Sequence, residues 1–292
     1  MKKKVLIFII SFLLFLNSFA VFEYIPGNVQ SKSMAFATTG MLTGIENITV
    51  NPASIVGLDK YQVSVSYENL YRFIHTASIS GGYYSNYGNL GLKYSELFVL
   101  GDYSNMDSII STNTRLQTER VVQLTYGMGF NDVIMVGTNI NFLFVEQKME
   151  GIDDNNNIYY TADLGIIGRI YDRWFIGLSV SNLTDTYIVG SMSSERYYIT
   201  RKVSGGLTFS PYESLTTNFD LSKTSGEPTS FGFSFKSQIV KNVFTIFSGV
   251  RNYPATLGLG FELKIKNISI DYGYTTVINL PSRNHIQLSY SF

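Results

Sequence analysis

Residues 255–276 read ATLGLGFELKIKNISIDYGYTT, and their alternation decides the fold. Leu257, Leu259, Phe261, Leu263 and Ile265 share one parity, and Gly258, Gly260, Glu262 and Lys264 share the other. A strand sends successive side chains to opposite faces, so this is an extended segment with one apolar face. After Lys266-Asn267 the habit resumes, with Ile268, Ile270, Tyr272 and Tyr274 against Ser269, Asp271, Gly273 and Thr275. Two such runs separated by two turn-forming residues make a hairpin.

Outward from this hairpin the same pattern recurs. It predicts fourteen strands near 60–68, 74–84, 89–97, 117–129, 132–146, 157–170, 173–183, 200–209, 214–222, 229–239, 243–251, 255–265, 267–276 and 284–292. The connections alternate too. Those at Ser85–Gly88, Phe130–Asn131, Tyr171–Asp172, Ser210–Glu213, Val240–Asn242 and Lys266–Asn267 are tight. Those near 98–116, 147–156, 184–199, 223–228 and 277–283 are longer, with short exceptions near 69–73 and 252–254. An even strand count with turns on one side and loops on the other is the outer-membrane barrel pattern.

A soluble β-sandwich also alternates, but its outer face carries charge. Here the polar face is Gly, Ser, Thr and Asn, as at Asn139 and Asn141 or Ser179 and Ser181, and only 15% of residues are charged, against a usual figure of about 25%. Aromatics gather at segment ends, as at Tyr83 and Tyr84 or Tyr171 and Trp174, where membrane interfaces place rings. The expected fold is therefore all-β: a closed antiparallel transmembrane barrel of about fourteen strands with a small N-terminal plug. Closure, which lipid demands, would set Tyr61, Val63, Val65 and Tyr67 beside Ile286, Leu288, Tyr290 and Phe292 on the lipid side, and Gln62, Ser64 and Ser66 inward beside His285, Gln287, Ser289 and Ser291.

The domain order follows. Residues 1–20 have the form of a secretory signal: Lys2–Lys4, an apolar run from Val5 to Leu16, and cleavage expected after Ser18-Phe19-Ala20. That run is shorter than the roughly 17–25 residues of a spanning helix. Residues 21–59 are the plug segment and 60–292 the barrel. The chain has no cysteine, which removes lipoprotein anchoring, disulfide scaffolds and zinc–thiolate sites, and its 22 basic and 22 acidic residues exclude a nucleic-acid partner.

Residues 35–58, AFATTGMLTGIENITVNPASIVGL, break the strand pattern. Their Ala/Gly-rich opening, acidic residue and Asn51-Pro52-Ala53 resemble the N-terminal segment of the PorV/PorQ-like proteins, within the wider FadL-type superfamily of outer-membrane barrels. Val180-Ser181-Asn182-Leu183, Leu257–Phe261 and the last strand add to the resemblance, which covers nearly all of the chain after Ala20. The alternating Ile286, Leu288, Tyr290 and terminal Phe292 look like the signal read by the barrel-assembly machinery. The resemblance implies a bacterial outer-membrane protein, surrounded by that membrane's lipids, that passively takes up small hydrophobic molecules of the fatty-acid kind. The alternative it implies is a non-transporting scaffold that binds a protein partner in secretion, for which Ile109, Ile110, Tyr197 and Tyr198 offer apolar loop surface.

A fourteen-strand barrel lies between small filled barrels and open porins, so its lumen needs a filling. Asn51 can cap a short helix with Pro52 at its first position. The segment then either gates a ligand path or is a static lid. Candidate ligand contacts are Val133, Met135, Leu143 and Phe175 on nominally inward faces, with Phe36, Met41 and Leu42 of the plug. Inward charges include Glu68, Lys93, Asp163, Arg169, Asp220, Lys236, Glu262, Lys264 and Asp271, of both signs, which suits mutual pairing better than a selectivity ring.

No cofactor or catalytic site is expected. Asp153-Asp154-Asn155-Asn156-Asn157 lacks EF-hand spacing and suits a solvated loop tip. His75 and His285 do not assemble a triad, and His285 is expected to point inward near the tight-turn end of the last strand.

Overall fold

The computed structural model describes residues 27–70, 74–101, 104–105, 108–109, 114–147, 158–189, 196–278 and 280–292. The signal segment and the Asp153–Asn157 run lie outside the described residues. All fourteen segments expected from alternation are present, each end within four residues of its expected position. They are β1 (Gln62–Leu70), β2 (Ile74–Tyr83), β3 (Asn89–Gly101), β4 (Thr114–Phe130), β5 (Ile134–Gln147), β6 (Ile158–Tyr171) and β7 (Trp174–Ser181), followed by β8 (Lys202–Tyr212), β9 (Leu215–Thr224), β10 (Ser230–Val240), β11 (Phe244–Asn252), β12 (Ala255–Ile265), β13 (Ile268–Val277) and β14 (Arg283–Ser291).

Each strand pairs antiparallel with its sequence neighbours, and β14 closes on β1. At that seam Val63 faces Tyr290, Val65 faces Leu288, Ser64 faces Ser289 and Glu68 faces His285. The apolar parity thus meets apolar residues outside and the polar parity meets polar residues inside. Val65, Leu259 and Leu288 are each about half exposed on the outer wall. Ser64, Asn139, Ser179 and Gln287 are buried on the inner one. The polar groups of the inner wall are satisfied in part by cross-strand hydrogen bonds. Ser64 and Ser80 approach to 2.7 Å, as do Ser66 and Ser78, and Asn139 and Asn141 both donate to Asp163 Oδ2.

The tight turns use residues that tolerate a left-handed backbone. Asn131 and Asp132, between β4 and β5, have φ of 51° and 54°. That turn carries Val133 away from the lumen: it is 50% exposed at the barrel end, so Met135, not Val133, begins the inward face of β5. His285 points inward as expected but sits at the long-loop end, because β14 begins there and runs toward the tight turns. Two short ribbons, Ser104–Asn105 with Ser108–Ile109 and Tyr187–Val189 with Arg196–Tyr198, extend the long-loop side.

Residues 27–58 lie inside the barrel, most of them buried. They comprise α1 (Val29–Ser33) and two 3-10 turns, Gly44–Glu46 and Pro52–Gly57. Inward glycines receive them. A methyl group on Gly137, Gly165, Gly177, Gly249 or Gly258 would overlap Pro52, Asn51, Thr39, Met34 or Ser33 respectively, mostly at main-chain atoms. Glycine in a strand interior weakens it and marks a close approach of another backbone. Here that backbone is the N-terminal segment.

Candidate functional site

Among the described residues, the lumen is where the fold gathers buried charge, polar side chains and a non-barrel segment. Asn51 organises the lower turn. Its Oδ1 accepts from the Ala53 amide at 3.0 Å, and its Nδ2 donates to Thr39 O at 2.7 Å and to Leu178 O at 3.3 Å. One side chain therefore caps Pro52–Gly57, ties two parts of the segment together and holds them to β7. Pro52 stands at the first helical position, where its missing amide costs nothing.

The wall holds the segment through its carbonyls. Gln123 and Asn139 donate to Ile48 O, Ser179 to Val50 O, Ser234 to Ala37 O, and Asn89 to Ile55 O and Leu58 O. Asp220 accepts from both the amide and the hydroxyl of Thr39, at 2.8 and 2.6 Å. Arg251 donates to Ala35 O.

The inward charges are mostly used the same way. Lys32 of α1 is 2.7 Å from Glu68, which also lies 3.0 Å from His285 Nδ1. Lys93 donates to Asn28 Oδ1 and Thr49 Oγ1. Glu46 accepts from Gln62, Asn28 and Gln287, and Gln287 also donates to Asp271. Lys236 stands 3.9 Å from Glu262. Arg169 and Lys264 are exposed at the tight-turn rim, the Arg169 guanidinium 5.4 Å from the Phe175 ring centroid. The other histidine, His75, faces outward, where its ring stacks on Tyr67 and Phe98.

Apolar surface inside the barrel is divided into compartments. At the long-loop end, Val121 and Leu143 on the wall meet Ile188 of the ribbon beyond β7 and Ile199 just after it, flanked by Val145 and Tyr159. At the tight-turn end, Met135 and Ile167 meet Ala53, with Leu42, Val56 and Phe175 packed on them. Met41 joins Val29, Met34 and Phe247. Phe36 is half-buried with φ of 56°, its ring edge against Gly27. The seven residues named from sequence therefore do not line one continuous path. Leu42, Met135 and Phe175 come together, Leu143 stands in the opposite compartment, Met41 packs with Val29 and Met34 against Phe247 of β11, Phe36 lies against Gly27 of the segment, and Val133 is outside. On β5 the order is Met135, Gly137, Asn139, Asn141, Leu143, so a polar belt separates the two apolar ends by roughly 26 Å of strand.

The sequence reading missed Val121, Ile188, Ile199 and Phe247. Val121 has the polar parity of β4, beside Gln123 and Thr125, and an apolar residue on that parity was the available signal. Phe247 is the same kind of exception in β11, between Thr245 and Gly249.

The fold and this interior define a closed fourteen-stranded barrel whose lumen is filled by its own N-terminal segment. Several solved structures are similar to it in fold. The toluene transporter TodX of Pseudomonas putida superposes with a TM-score of 0.67 at 10% identity, over 91% of this chain and 98% of that one. The toluene transporter TbuX of Ralstonia pickettii gives 0.63 at 12%, over 93% and 100%. A Pseudomonas aeruginosa FadL homologue gives 0.59 at 13%, over 94% and 99%. At these identities the likeness is one of fold. No protein-family model matches the sequence, and no curated protein does.

Proposed function

We propose that this chain is an integral barrel of the bacterial outer membrane that takes up small hydrophobic molecules, with its tight turns in the periplasm and its long loops outside. The observation that carries the reading is the apolar compartment of Val121, Leu143, Ile188 and Ile199 at the long-loop mouth of the lumen, set apart from the deeper apolar clusters by the polar belt of Asn139 and Asn141. An apolar pocket with few polar groups suits capture of a hydrophobe, and a filled lumen denies free passage to water. The similar folds of two toluene transporters support the same class. Residues 27–58 are then the element that must move for a captured molecule to pass. No catalytic step belongs to this reading: the His285–Glu68 pair contacts Lys32 of the segment and is used in docking it.

Two measurements test it. Leu143→Asn places an unsatisfied amide in the apolar compartment, at a cost of about 1–3 kcal/mol. Native mass spectrometry of the folded chain with oleate should then show retention reduced roughly fivefold or more, while Val133→Asn leaves it unchanged. Equal retention by Leu143→Asn and wild type would remove the compartment from the path. Membrane placement has its own test. Leu288 is an outward residue paired with Val65 and Ile270 in the body of the wall. Leu288→Arg should cost about 2–4 kcal/mol in reversible refolding into vesicles, as expected for a cation near the bilayer midplane. A cost below about 0.5 kcal/mol, ordinary for a water-exposed surface position, would argue that this wall does not face lipid.

A second reading, a partner-binding scaffold of the PorV kind, is favoured by the tightness of the filling, since glycines on strands from β2 to β13 meet the segment. It predicts no retained hydrophobe, and a partner bound at the long loops.

A further inference from the structure

The outer wall is not uniformly convex. Across β1 to β5, toward the tight-turn end, it carries a groove of about 560 Å³. Gly81 makes its floor, and the paired neighbours Val63 on β1 and Leu92 on β3 stand on either side. Leu124 and Ile140 continue it across β4 and β5, where the outward residue one row below is the short Thr138. Rings close the rim: Tyr61 lies 5.2 Å from Tyr83 and 5.6 Å from Phe292, centroid to centroid. The wall behind is thin, because Gly82 pairs with Gly91 there, and Ile45 and Leu58 of the segment press on Gly82 from inside.

The surroundings select the occupant. The lining is apolar and its backbone is committed to continuous strand pairing from β1 through β5. Ordered water would lack partners, and an added peptide strand would find no unpaired edge. What remains on a lipid-facing wall is hydrocarbon. The aromatic rim sits where interfacial rings sit, next to headgroups, and Lys60, exposed between Asp59 and Tyr61, presents an ammonium that can donate to a phosphate at that level.

We propose that this groove is a fixed binding site for an acyl chain of a periplasmic-leaflet phospholipid. The inference rests on the membrane placement proposed above and is independent of transport. The chain lies along Gly81 between Val63 and Leu92, with its phosphate near Lys60.

The test uses the full chain in vesicles of phosphatidylethanolamine and phosphatidylglycerol containing a phospholipid with a photoactivatable acyl chain, followed by native mass spectrometry and peptide mapping. A side chain at Gly81 would have only Gln62 O near its Cβ, at 3.9 Å, so Gly81→Leu fills the groove without pressing on the wall. Gly205→Leu is the control, an outward glycine of β8 paired with Leu178 and Leu221. Wild type and Gly205→Leu should each retain one phospholipid and concentrate labelling in peptides containing Leu90, Leu92 and Leu124. Gly81→Leu should lose both. Labelling spread evenly round the barrel, retention unaffected by Gly81→Leu, displacement of the phospholipid by free fatty acid, or a dimer that Gly81→Leu splits would each overturn the site. A chain that fails to enter vesicles overturns the membrane placement with it, whereas one that enters and retains no lipid overturns the groove alone.

Discussion

Replacing Gly165 and Gly177 together with leucine is expected to drive residues 27–58 out of the lumen while the barrel stays closed. Asn51 occupies the space beside Gly165, and the Thr39 carbonyl occupies the space beside Gly177. Overpacking costs about 1–3 kcal/mol per site where neighbours can yield. Here the neighbours include main chain and a capping amide, and both sites press on parts of the segment joined by the Asn51–Thr39 hydrogen bond. Relief by local adjustment is therefore blocked, and undocking is the cheaper response. The wall should not suffer, because glycine is a poor strand residue and its replacement removes backbone freedom from the unfolded chain. The double variant should keep the migration of a folded barrel in unheated gels, expose the N-terminal segment to protease, and show conductance steps in a planar bilayer where wild type shows none. A variant that stays silent with residues 27–58 protected would mean that the glycines are not what admits the segment.

That experiment bears on both functional readings. A gate must be displaceable, so its docking free energy has to be small enough for a captured ligand to offset. The scaffold reading asks for the reverse. Amide exchange of residues 27–58 in wild type, compared with that of the strands, measures this: exchange well ahead of the strands favours the gate, and exchange together with them favours a static lid.

The strands were legible because lipid and lumen impose opposite demands on alternate residues, and ATLGLGFELKI satisfies both. Closure was legible for the same reason, since Val63 and Tyr290 share a parity that only the correct register preserves. The interior was less legible. Parity counted back from Met135 made Val133 inward, but the left-handed Asn131 and Asp132 end the strand first. The inward glycines could be read as small polar-face residues, but what they accommodate is set by the path of a segment more than a hundred residues away in some cases, as with Ser33 at Gly258. Ile188 of the loop ribbon and Ile199 just after it reach Leu143, and no local pattern encodes that contact. Phe247 was hidden because Phe244, Ile246 and Phe247 place apolar side chains on both parities of β11. Fold follows from repetition, which short windows reveal, whereas the site follows from a few long-range contacts.

Lys32→Met is expected to loosen the segment by about 3–5 kcal/mol, the usual result of removing one partner from a buried ion pair. Lys32 and Glu68 are 4% and 1% exposed, and their 2.7 Å contact joins α1 to β1. Glu68 also accepts from Thr76 at 3.2 Å and lies 3.0 Å from His285, whose other ring nitrogen is 2.9 Å from Thr275 Oγ1. Methionine keeps most of the lysine stem and removes only the charge, so the loss is electrostatic and not a cavity effect. The remaining carboxylate would be held by a hydroxyl and an imidazole in a site closed to water, which is the costly half of the pair. Removing both charges should therefore recover much of the loss. Lys32→Met/Glu68→Leu is expected to dock the segment more tightly than Lys32→Met alone, because an apolar pair of similar volume avoids the desolvation that the ions incur. Amide exchange of residues 27–58 against that of the strands reads the effect directly, with a folded barrel as the internal control. If the double variant docks no better than the single one, the contact contributes little, and α1 is held instead by its backbone against Gly249 and Gly258.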